Sequence, residues 1–365
     1  MAKVSFLRFV DKYLGNFLIG IISLFRKRKK SFGKSKKVLI VRLWTLGESL
    51  LTLPLIEHLK ENGFDVTVLV TKRSRAVFEN KGYKILGFEH IANYLHLFKG
   101  FDIVIDTEPY LRVSSLLSWF FGKVSIGFDG LFRARIYDFK VNYNDKEHAV
   151  INFTRLLQPL NLFFIPEALV PLNYAKKDVT QVNKLLNDFN LNDKKLIGIH
   201  AGTAETAPWR SWKTQNFVKL IELLIKDGFY VVLTGSKSEY ENNLKIINLL
   251  SEKSKVFNFA GKTTLSQLAF LMTRFGVFVS NDTGPMHLSA AMNVKTIGLF
   301  GPNLPSRFGP YGRKNVAIYK AKDLSCSPCI NVHKGKFKKC KLNGKCMDLI
   351  TVKDVYDTVV SLVGK

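Results

Sequence analysis

The chain has 365 residues, 47% of them hydrophobic, enough to bury the cores of two domains. Its formal charge of +26, from 55 Lys and Arg against 29 Asp and Glu, calls for an acidic partner. Zinc-finger spacing, aromatic–glycine RNA motifs and helix-turn-helix patterns do not stand out, which sets nucleic acid aside as that partner.

At the N-terminus, Tyr13–Phe25 contains the uncharged apolar stretch LGNFLIGIISLF, too short to span a bilayer as a helix. Extended back to Val4 it gains Arg8, Asp11 and Lys12, which suit an interfacial helix. Residues 26–37, RKRKKSFGKSKK, then hold eight cations and no acid. Most of the charge follows the apolar stretch and no small-residue cleavage site appears, which argues against a signal peptide. Residues 1–36 are therefore expected to form an amphipathic helix on the cytoplasmic leaflet, with the basic cluster on anionic headgroups. The other reading is a helix packed on the protein's own body, because an apolar face of period 3.6 serves both ends.

From Lys37 onward, apolar runs alternate with helical patterns. The first half contains the strand Lys37–Arg42, the helix Glu48–Glu61, the strands Asp65–Thr71 and Asp102–Asp106, the helix Leu111–Phe121 and the strand Val124–Gly127. Pro166, Pro171 and a polar helix over Asp178–Asp188 mark a junction between Asn161 and Asp193. The pattern restarts with Leu196–His200, Thr214–Asp227, Phe229–Gly235, Ser238–Glu252, Leu265–Arg274, Val277–Asp282 and Thr296–Gly301. Unbroken apolar strands alternating with helices predict parallel sheets covered on both faces. The expectation is an α/β protein with two doubly wound domains, 37–175 and 176–350, facing a central cleft. A tail over 351–365, helical at Thr351–Leu362, is expected to pack back across the junction.

The most informative turn is Ser280-Asn-Asp-Thr-Gly-Pro-Met-His287, following the apolar run Val277–Val279. Pro285 suits the first helical turn, and Gly284 lets the backbone approach a ligand closely. Free N–H groups and the positive helix end there favour an anion, phosphate above all. Thr203, Arg210, Thr283 and the Gly284 amide read as a phosphate-binding group, with Arg supplying planar bidentate donors. Glu239, past a glycine turn, is placed to accept from ribose hydroxyls. Glu48, at the mouth of the turn Leu43–Gly47, reads as a general base, or as a first-turn carboxylate stabilised by the helix dipole. G-x-G-x-x-G and the P-loop are absent, so hydride transfer and P-loop ATP hydrolysis are unsupported. Cys326, Cys329, Cys340 and Cys346 fall in one short window, open to three readings: a structural zinc site, two disulfides or reduced thiols.

From about Lys37 to its end the chain resembles glycosyltransferase family 9, the ADP-heptose:lipopolysaccharide heptosyltransferases. The resemblance rests on VRLWTLGESLLTLPLI, DTEPYLRVSSLL with SIGFDG, HAG…WRSWKTQNFVKLI, VVLTGSKSEYE and, most specifically, SNDTGPMHLSAAMNVKTIGLFGP. The cysteine window is similar to one carried by part of that family. The resemblance implies a GT-B fold of two Rossmann-like domains, nucleotide-sugar in the second and acceptor in the first, with inverting transfer that requires no metal cofactor. It places the catalytic base at Glu48, where the family usually has Asp, and the diphosphate cation at Arg210, where many relatives have Lys. Asp282, Thr283, Gly284 and His287 match the nucleotide-diphosphate turn, Glu239 the nucleoside carboxylate, and Thr45 a position near the donor phosphates.

One further methylene moves the carboxylate by about 1.5 Å. Asp106 and Glu108 are therefore alternative carboxylates for that role, and Asp106, Arg112, Arg133 and Arg135 are candidates for contacting an acidic acceptor. The function so implied is transfer of a heptose from ADP-heptose to a lipid-linked lipopolysaccharide inner-core acceptor, by a peripheral protein on the cytoplasmic face of the inner membrane. The competing readings are a transferase of the same fold with another nucleotide-sugar donor, and a nucleotide-binding membrane scaffold without turnover.

Overall fold

The computed structural model describes residues 2–27, 31–32, 36–203 and 207–364. Residues 28–30 and 33–35 of the basic block thus lie outside the described residues. The chain divides into two compact units, one running to Pro166 with Asn331–Lys336 added, the other comprising Glu167–Ile330 and the chain from Phe337. The division falls earlier than the expected one at 175/176, at the first of the two prolines that marked the junction.

The first unit carries six parallel strands: β1 (Lys37–Arg42), β2 (Asp65–Val70), β3 (Lys84–Gly87), β4 (Phe101–Asp106), β5 (Gly122–Phe128) and β6 (Phe139–Val141). Their order is β3-β2-β1-β4-β5-β6. The chain order therefore reverses between β1 and β4, and the loops leaving those two strands lie side by side at the carboxyl edge, the place where doubly wound sheets bind ligands. Helices α1 (Ala2–Phe25), α2 (Leu46–Glu61), α3 (Lys72–Glu79), α4 (Arg112–Phe121) and α5 (Ala149–Arg155) complete this unit. β4 is buried at every position, as a strand covered on both faces requires.

The second unit repeats the plan with β7 (Leu196–His200), β8 (Tyr230–Leu233), β9 (Val256–Asn258), β10 (Phe275–Asn281), β11 (Thr296–Phe300) and β12 (Val316–Tyr319). All are parallel, in the order β12-β11-β10-β7-β8-β9, with the reversal between β7 and β10. Its helices are α6 (Lys176–Asp188), α7 (Thr214–Lys226), α8 (Tyr240–Asn248), α9 (Leu265–Met272) and α10 (Gly284–Ala291), together with the C-terminal helix Val352–Val363. That last helix belongs to the second unit. Its Tyr356 hydroxyl donates to Asp227 at 2.9 Å, and Val355 and Val359 join the core built on Ile199, Val231, Val279 and Leu299. An amphipathic helix buries its stripe where the nearest apolar surface lies, here the face of its own sheet.

Helix α1 packs on α4 and on the 3₁₀ segment Phe132–Ile136. Both Asp11 carboxylate oxygens accept from the Arg112 N–H at 3.1 Å, and one also accepts from Val113 N–H at 2.8 Å, capping α4 from outside. Gly15 makes the crossing possible, since a Cβ there would lie 2.5 Å from Arg112 Cβ. Arg26 pairs with Asp138, and Phe32 stacks on Phe139 with centroids 4.4 Å apart. The opposite face leaves Phe9, Tyr13, Phe17, Ile21, Leu24 and Phe25 exposed. No helix among the described residues is long and apolar enough to cross a membrane.

Candidate functional site

In the first unit the switch-point loops assemble a buried charged group. Thr45, exposed, is the N-cap of α2: its hydroxyl accepts from Glu48 N–H at 3.4 Å and donates to Glu48 Oε2 at 3.0 Å. The first-turn carboxylate of that helix is thereby held at its N-terminus, where the helix dipole favours it. The same Oε2 accepts from Arg42 Nη2 at 3.1 Å, whereas Oε1 is buried with no hydrogen-bond partner among the described residues. Glu48 is 6% exposed and Arg42 and Glu108 are fully buried. Glu108 Oε1 lies 3.0 Å from Arg42 Nη2 and accepts from the amides of Leu43 at 2.7 Å and Trp44 at 2.9 Å.

Asp106 and Arg133, expected near an acceptor, are committed to the interior. Asp106 accepts from Glu108 N–H at 3.0 Å and from the Tyr137 hydroxyl at 2.7 Å, and pairs with Arg133. Arg133 also donates to Glu108 O, to Tyr137 and, at 2.9 Å, to Ser114 Oγ. A fully buried guanidinium needs this many acceptors, and none of its charge is presented to solvent. Arg112 is turned toward α1, donating to Asn16 Oδ1 at 3.2 Å and to Tyr110 O at 3.1 Å. Arg135 is exposed and lies over the Phe132 ring, 4.5 Å from its centroid.

In the second unit the loops after β7 and β10 meet in the same way. Arg210 ion-pairs with Asp282 at 2.7 Å, and Asn303 Nδ2 donates to the same carboxylate oxygen at 3.1 Å. Asn281 ties the loops together: its Nδ2 donates to Ala201 O at 2.9 Å, and its Oδ1 accepts from Trp212 N–H at 3.0 Å. Thr283, the N-cap of α10, makes no side-chain cap; its hydroxyl donates to Asn281 O at 3.2 Å. The first N–H groups of α10, beyond Gly284 and Pro285, thus receive no cap from Thr283, and an open helix start of this kind suits an anion. His287 is buried with its pKa lowered to about 4, mainly by burial, with Asp282 opposing and Arg210 adding to the shift; the imidazole is neutral at pH 7.

Thr203 is half-buried just before residues 204–206, which lie outside the described residues. Glu239 Oε2 accepts from Ser236 N–H and Oγ, both at 2.7 Å, while Oε1 lies 3.5 Å from His200 Nε2. The approach to the β7 loop is so close that a Cβ on Gly202 would fall 1.7 Å from Glu239 Oε1. Burial lowers the His200 pKa against the opposing Glu239 charge, which leaves that imidazole neutral as well.

Sequence reasoning missed Arg42, Asn281 and Asn303, and weighed Glu108 only as a substitute base. A cation closing an apolar strand, six residues before a carboxylate, was the available sign for Arg42. The asparagines carried no sign, since their partners are distant in the chain. The four cysteines are free thiols, Cys346 buried and Cys326 exposed. Burial, and next the neighbouring thiols, raise the Cys346 thiol to about 11. Among the described residues no cluster of three or more His, Cys, Asp or Glu is arranged to hold a metal ion, so the zinc expectation finds no assembled ligand set.

Residues 96–340 match the family model described as glycosyltransferase family 9 (heptosyltransferase). A lipooligosaccharide heptosyltransferase 2 of Campylobacter jejuni is 29% identical over 231 residues, 62% of this chain and 67% of that protein. Among solved structures, the glycosyl transferase family 9 protein of Veillonella parvula superposes with a TM-score of 0.74 at 21% identity, covering 90% of this chain and 97% of that one. The E. coli ADP-heptose LPS heptosyltransferase II gives a TM-score of 0.69 at 20% identity, over 90% and 98%.

Proposed function

The chain belongs to glycosyltransferase family 9, the heptosyltransferases, and from that premise we propose that it transfers a heptose from ADP-heptose to a lipid-linked inner-core saccharide. Glu48 takes the proton of the acceptor hydroxyl as the hydroxyl oxygen attacks the anomeric carbon from the side opposite the diphosphate. The bond from that carbon to the diphosphate breaks with its electron pair going to the diphosphate, so the anomeric configuration inverts. Arg210 and the N–H groups opening α10 stabilise the charge growing on the departing diphosphate, the kind of electrostatic stabilisation that dominates most such reactions. Glu239 is the acceptor for ribose hydroxyls. Loss of a diphosphate needs no metal in this scheme, because the cation is supplied by Arg210.

The observation that carries the reading is the Arg210–Asp282–Asn303 arrangement ahead of the uncapped start of α10. It supports a diphosphate donor, and the ADP-heptose in the name of the E. coli relative supplies the nucleotide and sugar. The outward face of α1 and the basic residues after it support residence on an anionic membrane surface, in this reading the cytoplasmic face of the inner membrane.

Purified protein offered ADP-heptose, UDP- and GDP-sugars with a lipid A core acceptor tests the donor. Acceptor-dependent release of ADP alone is expected; release of UDP or GDP instead replaces the donor, and binding without release from any of them overturns catalysis. Glu48→Gln is expected to lower turnover about 10²- to 10⁴-fold while ADP still binds.

A further inference from the structure

Two carboxylates of the first unit are gathered around one guanidinium. Arg42 Nη2 lies 3.1 Å from Glu48 Oε2 and 3.0 Å from Glu108 Oε1, while Nη1 donates to Thr107 O at 3.1 Å. Two buried carboxylates on one cation leave an uncompensated charge, which is costly in the interior unless it has a use. The remaining charged neighbours are Asp106, at the end of β4, and Arg133, in the 3₁₀ segment Phe132–Ile136, and these two are paired with each other. Glu108 also anchors, through the Leu43 and Trp44 amides, the loop that carries Thr45 and Glu48. Glu48 is thus held through Oε2, while Oε1 is enclosed with no hydrogen-bond partner among the described residues.

Building on the reading of Glu48 as the base, we propose that Arg42 and Glu108 are its positioning residues. Arg42 holds the Glu48 carboxylate in one orientation through Oε2, and Glu108, sharing the same guanidinium nitrogen, sets how strongly Arg42 draws on the charge of Glu48. The Glu108 carboxyl is pushed up to about 7, chiefly by burial, with Arg42 opposing and Glu48 and Asp106 adding to the rise. Below that pH Glu108 is neutral, and the whole Arg42 charge acts on Glu48 and weakens it as a base. Above it Glu108 is ionised, competes for Arg42 and repels the Glu48 charge, so that taking the acceptor proton relieves the repulsion. Turnover therefore rises as the pH passes about 7.

Two measurements test this. The first is the pH profile of kcat, with ADP-heptose and the core acceptor, for wild type, Glu108→Gln, Arg42→Lys and Glu48→Gln. Glu108→Gln is expected to lose the step near pH 7 with donor KM unchanged. Arg42→Lys, which lacks the second guanidinium nitrogen that donates to Thr107 O and orients the first between the carboxylates, is expected to lower kcat by up to about a hundredfold with donor KM unchanged. The second is a carboxyl titration by NMR on protein labelled with ¹³C-glutamate, which requires no turnover and no change at Glu108. One buried glutamate is expected to titrate near 7 in wild type and at lower pH in Glu48→Gln, where a repelling charge is gone.

A wild-type pH profile in Glu108→Gln, or a glutamate titration that does not move in Glu48→Gln, overturns the positioning role. If Glu48→Gln itself turns over at the wild-type rate, it is the base assignment that fails. An inactive Glu48→Gln beside an unaltered Glu108→Gln rejects this inference alone.

Discussion

At the scale of single residues, the site is a set of charges whose neighbours decide what they are free to do. Arg210 and Arg133 are both arginines of the candidate set, yet Arg133 is fully enclosed by Asp106, Tyr137 and Ser114, whereas Arg210 keeps about a fifth of its side chain accessible. Of these two, Arg210 is the one accessible to a ligand. Arg210→Ala is expected to lower kcat about 10²- to 10³-fold, the cost of losing one preorganised donor to developing charge. Steady-state kinetics with saturating donor measures this, and a kcat near wild type removes Arg210 from the diphosphate role. The residue types at these positions were legible in the sequence, but their availability was not. A guanidinium's burial depends on acceptors brought from other strands, and no local pattern announces them.

Among the elements, α1 shows how one helix answers to two surroundings. Its inward side is specified by Asp11, Gly15 and Asn16 against Arg112, and its outward side is a row of exposed apolar residues. The packing of α1 on the first unit is the reading its contacts show; its exposed apolar side is the feature on which the proposed membrane contact rests. Gly15→Leu is expected to cost roughly 1–3 kcal/mol through overpacking against Arg112. Chemical denaturation, together with the rate of proteolytic cleavage between α1 and β1, reports it; unchanged stability and cleavage would show that the crossing tolerates a side chain. The strands divide in a comparable way. The eight central ones, from KVLIVR to TIGLF, were readable as apolar runs, whereas β3, β6, β9 and β12 were not. Those four are the outer strands of their sheets, half-buried and irregular in pattern, and they are strands because a neighbour's backbone is there to pair with.

For the whole molecule, the proposed membrane contact draws on the charge of +26 and on the exposed apolar side of α1. Wild type is expected to sediment with vesicles containing anionic phospholipid and to release as salt is raised, since surface charge interactions are screened over about 8–10 Å near physiological ionic strength. Phe17→Glu with Leu24→Glu, both at exposed positions, is expected to abolish the binding with no change in thermal stability. Binding that survives the double substitution would move the membrane contact away from α1. The amino-acid sequence by itself determined the class of fold, the two-fold repetition of the α/β plan and the positions of Glu48, Arg210 and the Asp282–Gly284 turn. These follow from local quantities: apolar runs, turn residues and helix starts. Tertiary structure alone decided where the chain divides, which outer strands complete the sheets, which arginines are enclosed, and that Arg42 serves Glu48 and Glu108 at once. Those depend on contacts between residues far apart in the chain, here Arg42 with Glu108, Asn281 with Ala201 and Asn303 with Asp282, which come together only when the sheets are wound.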